Sequence, residues 1–167
     1  IATDVRGRRL SAVQVTEAHL DRLANVNPAI NAVVQEFPEE AIEAARQVDA
    51  AISRGEDPGP LCGVPVTIKD HFATKGMRTT NAYPPLADQV TDYDATVVKR
   101  LKDAGAIILG KTNIPVLAMD AQTFNPIFGR TNNPWDLTRT TGGSTGGGAA
   151  AVASGMSPLE IGSDIGG

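Results

Sequence analysis

Cysteine is nearly absent from this 167-residue chain, and several other markers of function are missing with it. The single Cys62 excludes an internal disulfide framework and fits a reducing compartment, where a lone thiol simply packs. No apolar run approaches the roughly 20 residues that span a bilayer, and no signal peptide is visible. A membrane protein is therefore not expected, and the cytoplasm is the default location. Charge is mildly acidic, with 15 Lys and Arg against 19 Asp and Glu for a net -4, and no block of one sign occurs. That argues against a nucleic-acid footprint, so nucleic acid is not expected among the partners. His19 and His71 stand outside any ligand cluster, so a metal is not expected. Repeats and linkers are also lacking, and the length suits one domain.

What is present reads as alternating helices and strands. Ser11 and Gln14 make a capping box, and the stripe Val13, Ala18, Leu20, Leu23, Ala24 and Val26 predicts a helix over 11–26, ending at Asn27-Pro28. NAVVQEF alternates like a short strand, and Pro38 opens a helix predicted over 38–54. VPVTI and AIILG predict interior strands, with a helix over 94–104 ahead of the second and Gly105 as its stop. Residues 74–93, holding Gly76, Pro84 and Pro85, predict a long surface loop. PLEIG reads as a further strand. Helices feeding short apolar strands place the chain in the α/β class, as α/β/α layers around a central mixed, twisted sheet.

The most specialised stretch is GGSTGGGAAAVASG. Gly142, Gly143, Gly146, Gly147 and Gly148 surround Ser144 and Thr145, and alanines follow directly. Glycines let the backbone turn and approach another group closely, while alanines let a helix pack tightly on a sheet. A flexible Gly/Ser connector is the plain alternative, weakened because the loop runs straight into a helix-forming run. A phosphate loop fails, since no lysine follows the glycines. Lys69 ends the strand VPVTIK. Alone it would read as a solvated strand-end lysine, and Asp70 as a turn residue or cap.

GVPVTIKD, DATVVKRLKDAGAIILGKTN, NPWDLTRTTGGSTGGGAAAVASG and PLEIGSDIGG, in this order, resemble the amidase signature family of serine hydrolases. The blocks cover most of the chain from Leu61 to Gly167. The resemblance implies hydrolysis of a carboxylic amide through an acyl-enzyme, with a small-molecule amide as substrate and no cofactor. It implies a triad in which Lys69 is the base and Ser144, at a cis peptide, is the bridging serine. The nucleophilic serine would directly follow Gly167. Backbone N–H groups of Ile165, Gly166 and Gly167 would form the oxyanion hole, and Gly142, Gly143, Ala118, Met119 and Asp120 would bind substrate. Ser163 takes a supporting place rather than the nucleophile's. TNIPVLAMDAQTFNPIFGRTNNPW resembles the stand-alone fatty-acid and aryl amidases more than the glutaminase subunit of a tRNA-dependent amidotransferase. The stand-alone enzyme is the leading expectation, with a non-catalytic binding domain and the glutaminase subunit as alternatives. A start at Ile1 and an end on turn glycines suggest the N-terminal part of one catalytic domain. The polypeptide is expected to continue past Gly167, with a modified serine next, and a homo-oligomer is possible.

Overall fold

The computed structural model describes residues 1–165. Its helices are α1 (Ala2–Arg6), α2 (Ala12–Ile30), α3 (Pro38–Ser53), α4 (Thr96–Asp103) and α5 (Gly146–Ala153). The main strands are β1 (Val33–Glu36), β2 (Pro65–Lys69), β3 (Ile107–Thr112) and β8 (Glu160–Ile161), joined in the order β1-β3-β2-β8. Strand β1 runs antiparallel to β3, while β2 is parallel to both β3 and β8, so the sheet is mixed. Two small hairpins complete the chain: β4 (Phe124–Asn125) with β5 (Gly129–Arg130), and β6 (Asn132–Asn133) with β7 (Asp136–Thr140).

Apolar burial sets the layers. Ile107 and Leu109 pack with Val5, Val15, Ala45 and Val48, joining α1, α2 and α3 on one side of the sheet. Val66, Ile68 and Ile108 pack with Val98 and Leu101 of α4 on the other. Helix α5 is admitted against the sheet by Ala150 and Ala151, which meet Leu23 and Ile30 of α2. Cys62 is buried in the first of these clusters, as a packing residue.

One irregularity decides where the polar groups go. Val66 pairs with Ile108 but Thr67 pairs with Gly110, so Leu109 is an extra residue in β3. A bulge of this kind reverses the alternation beyond it. Lys111 consequently pairs with Ile68 and Thr112 with Lys69, so that Lys111 takes the face of Ile68 and Thr112 the face of Lys69.

Two expectations are corrected. Helix α2 continues through Pro28 to Ile30, although proline removes the bond to residue 24. Burial of Ile30 and a side-chain cap carry the helix past it. Asn27 Oδ1 accepts the N–H groups of Ala32 and Val33 at 2.9 and 3.0 Å, its Nδ2 donates to Val33 O at 2.7 Å, and Asn31 closes the end in the left-handed conformation. Residues 74–93 are not simply a surface loop, because Thr74, Met77, Thr79, Thr80, Ala82 and Thr91 are buried. Lys111 Nζ holds this segment, donating to Phe72 O at 2.6 Å and to Thr79 and Thr74 Oγ1 at 3.2 and 3.3 Å. Asp70 anchors its far end, accepting from Thr80 Oγ1 at 2.5 Å and Thr80 N at 3.2 Å. Low periodicity looked like exposure because these bonds join side chains distant in sequence.

Asn27→Ala should leave two N–H groups of the buried turn unpaired and lower unfolding stability by about 2–3 kcal/mol, measured by denaturant titration of the full-length protein.

Candidate active site

Lys69 is the last residue of β2, and its side chain is fully buried. A buried ammonium is costly unless its protons are matched, and here four oxygens surround it. Nζ donates to Ser144 Oγ at 2.7 Å, to Thr145 Oγ1 at 2.9 Å, and to Ser163 O and Oγ at 2.9 and 3.1 Å. Thr145 Oγ1 in turn donates to Ser163 O at 2.9 Å. Two segments remote from β2 in sequence, one at Ser144 and Thr145 and one at Ser163, are thereby tied to one amine. Burial lowers the Lys69 pKa from the usual lysine range, while the charges of Asp164 and Glu160 pull it back up.

The turn reaches the lysine because α5 begins in glycines. The peptide bond between Gly143 and Ser144 is cis. A Cβ on Gly143 would lie 2.7 Å from Asp120 O and 2.9 Å from Ala121 C, backbone that cannot easily yield. One on Gly148 would meet the Glu160 side chain at 2.5 Å. Gly142, Gly143, Ser144, Thr145, Ser163 and Asp164 line an open cleft of about 320 Å³. A larger cavity of about 500 Å³ lies away from the lysine, between α3 and Lys75, Met77 and Lys102.

Of the residues singled out from sequence, Ser144, Gly142 and Gly143 line this cleft, and Lys69 lies buried behind it, bonded to Ser144. Asp120 stands behind Gly143 through its backbone oxygen and takes no part in the lining; Met119 is exposed and Ala118 half-buried. Ile165 is exposed, while Gly166 and Gly167 lie outside the described residues. Asp70, read as a turn residue, is a buried acceptor that also receives Gln35 Nε2 at 2.9 Å. Burial first of all raises its pKa. His71 is held neutral by burial, with a pKa near 4. Among the described residues there is no cluster suited to a metal ion, and no helix is long and apolar enough to cross a membrane.

Two ionisable groups escaped the sequence reading. Lys111 is fully buried, and burial brings its pKa down to about 8. Glu160 carries a carboxyl enclosed between β2 and α5, with its pKa raised to about 7, first by burial. The one available signal was a charged residue inside an otherwise apolar segment: AIILGK for the first, PLEIG for the second.

Fold and centre together define a class, an α/β protein with a buried lysine at a strand end bonded to a serine that lines a cleft. Residues 14–167 match the amidase family, and the chain belongs to it. It is 51% identical over 167 residues to the A subunit of glutamyl-tRNA(Gln) amidotransferase from Acidothermus cellulolyticus, covering 100% of this chain and 33% of that protein. The protein of the same name from Carboxydothermus hydrogenoformans is 49% identical over 167 residues, covering 100% of this chain and 34% of that one. A solved fatty acid amide hydrolase superposes with TM-score 0.93 at 28% identity, covering 98% of this chain and 29% of that one. The chain thus spans about a third of the length of the curated relatives it matches.

These relatives overturn two expectations. The leaning towards the stand-alone fatty-acid and aryl branch is wrong, because identity is far higher to the amidotransferase subunits. The exclusion of nucleic acid also falls, since those relatives are named for glutamyl-tRNA(Gln). Net charge sums over one stretch of chain and is blind to basic surface elsewhere in a protein or on a partner.

Thr145→Val removes both the acceptor for Lys69 and the donor to Ser163 O. It should cost about 1–3 kcal/mol of stability, whereas Thr145→Ser should be nearly neutral; thermal unfolding of the two variants checks this.

Proposed function

We propose that this chain is the catalytic N-terminal part of an amidotransferase A subunit that releases ammonia from the side-chain amide of glutamine, for transfer onto a tRNA-bound glutamate by partner chains. What carries the reading is identity of 49–51% along the whole chain to subunits of that name. Such work belongs where tRNAs are charged, which fits the cytoplasm.

Lys69 is the base in this reading, and its contacts suit the role. An ammonium has three protons for four oxygens, while a neutral amine has two protons and one lone pair. Ser163 O can only accept, and the Thr145 proton is directed to that same carbonyl. With the amine neutral, a hydroxyl proton must point to its lone pair, and Ser144 at 2.7 Å offers the shortest route. A serine after Gly167 would then attack the amide carbon, passing its proton to Ser144 as Ser144 passes its own to Lys69. N–H groups of Ile165, Gly166 and Gly167 would hold the oxyanion. Collapse breaks the C–N bond, and the proton returns by the same path to leave as ammonia. Water cleaves the resulting ester likewise. Gly142 and Gly143 would wall the substrate on one side, with the backbone of Asp120 behind Gly143.

Full-length Lys69→Ala should lose about 10³-fold or more in kcat for glutamine hydrolysis with little change in KM. Glutamine-dependent amidation of glutamyl-tRNA(Gln) in the presence of partner subunits tests the assignment. Efficient hydrolysis of fatty-acid or aryl amides, with no such amidation, would refute it.

A further inference from the structure

We propose that Glu160 is a positioning residue for this chemistry, acting through its charge on Lys69 to set the pH at which the amine becomes available as a base. The inference rests on Lys69 being that base.

The geometry is unusual for a carboxyl group. Glu160 sits in β8 beside β2, in register with Thr67, which lies two residues before Lys69 on the same face of its strand. Thr112 Oγ1, paired in turn with Lys69 across β3, donates to Glu160 Oε1 at 2.6 Å. Oε2 and the hydroxyl of Thr67 are both shut off from solvent, and the Thr67 hydroxyl favours the ionised carboxyl. The backbone of Gly148 in α5 covers the side chain so closely that no Cβ fits there. A neutral amide of the same shape would serve the Thr112 and Thr67 hydroxyls as well. What a carboxyl adds is charge, and Lys69 and Lys111 are the cations that feel it, from β2 and β3. Asp164 also acts on Lys69, and both lysines in turn act on His71.

The direction follows from sign. An ionised Glu160 favours the ammonium form of Lys69 and opposes the effect of burial. Glu160 ionises near pH 7. Above that pH it holds a proton on Lys69 that burial alone would release; below it, a neutral Glu160 exerts no such pull.

The test is Glu160→Gln in the full-length protein, with kcat/KM for glutamine hydrolysis followed across pH. The amide oxygen keeps the Thr112 bond, and the new NH₂ can donate to Thr67. The acidic limb should move to lower pH, with activity at about pH 8 raised about threefold or more. Little change should appear at about pH 6 or on the alkaline plateau. A uniform change at every pH, or an unmoved limb, would overturn the proposal and leave Glu160 a packing residue.

Stability supplies a readout independent of turnover. A carboxyl raised from 4.5 to about 7 keeps its proton longer in the folded state, so its contribution is lost as pH rises through that window. Glu160→Gln should therefore gain on the wild type across the same window, and a constant difference would count against a buried ionisable Glu160. Should that variant fail to fold, Thr112→Val removes the hydroxyl that favours the ionised form. It should shift the limb in the same direction, by less, and an unmoved limb there also defeats the idea. Lys69→Ala separates the two claims. If it stays active the base assignment fails; if it is inactive while Glu160→Gln leaves the limb in place, only the role of Glu160 fails.

Discussion

Burial of one lysine amine is the constraint on which the rest of this structure depends. Lys69 cannot sit fully inside the protein unless oxygen atoms meet its protons, and none come from its own strand. They come from the turn at Ser144 and Thr145 and from Ser163, which must converge on the end of β2. Helix α5 opens on glycines because the side chains of Thr123 and Thr141 crowd Gly146, the backbone of Asn113 crowds Gly147 and the side chain of Glu160 crowds Gly148.

The same burial organises a layer of charge. Lys111 and Asp70 lie with the segment 72–80, where they make that segment part of the interior. Glu160 and Thr112 lie with Lys69 on the side of α5. The extra residue in β3 makes this division, because without it Lys111 and Thr112 would exchange faces. A single bulge thus decides which cation serves the cleft and which serves the framework.

Membership of the amidase family and its branch were legible to different degrees, and burial explains why. The glycine turn, Lys69 and the strands VPVTI and AIILG lie in or against the interior, where each substitution has a packing cost. The stretch that suggested a fatty-acid or aryl amidase covers residues 112–135, in which Met119, Phe124 and Trp135 are exposed. Such surface positions vary at little cost, so a local likeness there carries little about substrate. Whole-chain identity weighs the constrained positions as well, and it points to the amidotransferase subunits.

Local physics in the sequence was enough for the α/β class, the capping box at Ser11, the helix opened by Pro38 and the apolar strands, since periodicity and caps act between near neighbours. The pairing of Lys69 with Ser144, 75 residues apart, was reachable only through resemblance to a family. The end of α2 beyond Pro28, the burial of Thr74, Met77, Thr79, Thr80 and Ala82 and the enclosed carboxyl of Glu160 were decided by tertiary structure. Each depends on a partner far along the chain: the core around Ile30, the amine of Lys111, and the backbone of Gly148 against β8. A charged residue in an apolar segment marks where to look, but whether it ends in water or among hydrogen-bond partners depends on which distant strand or helix covers it.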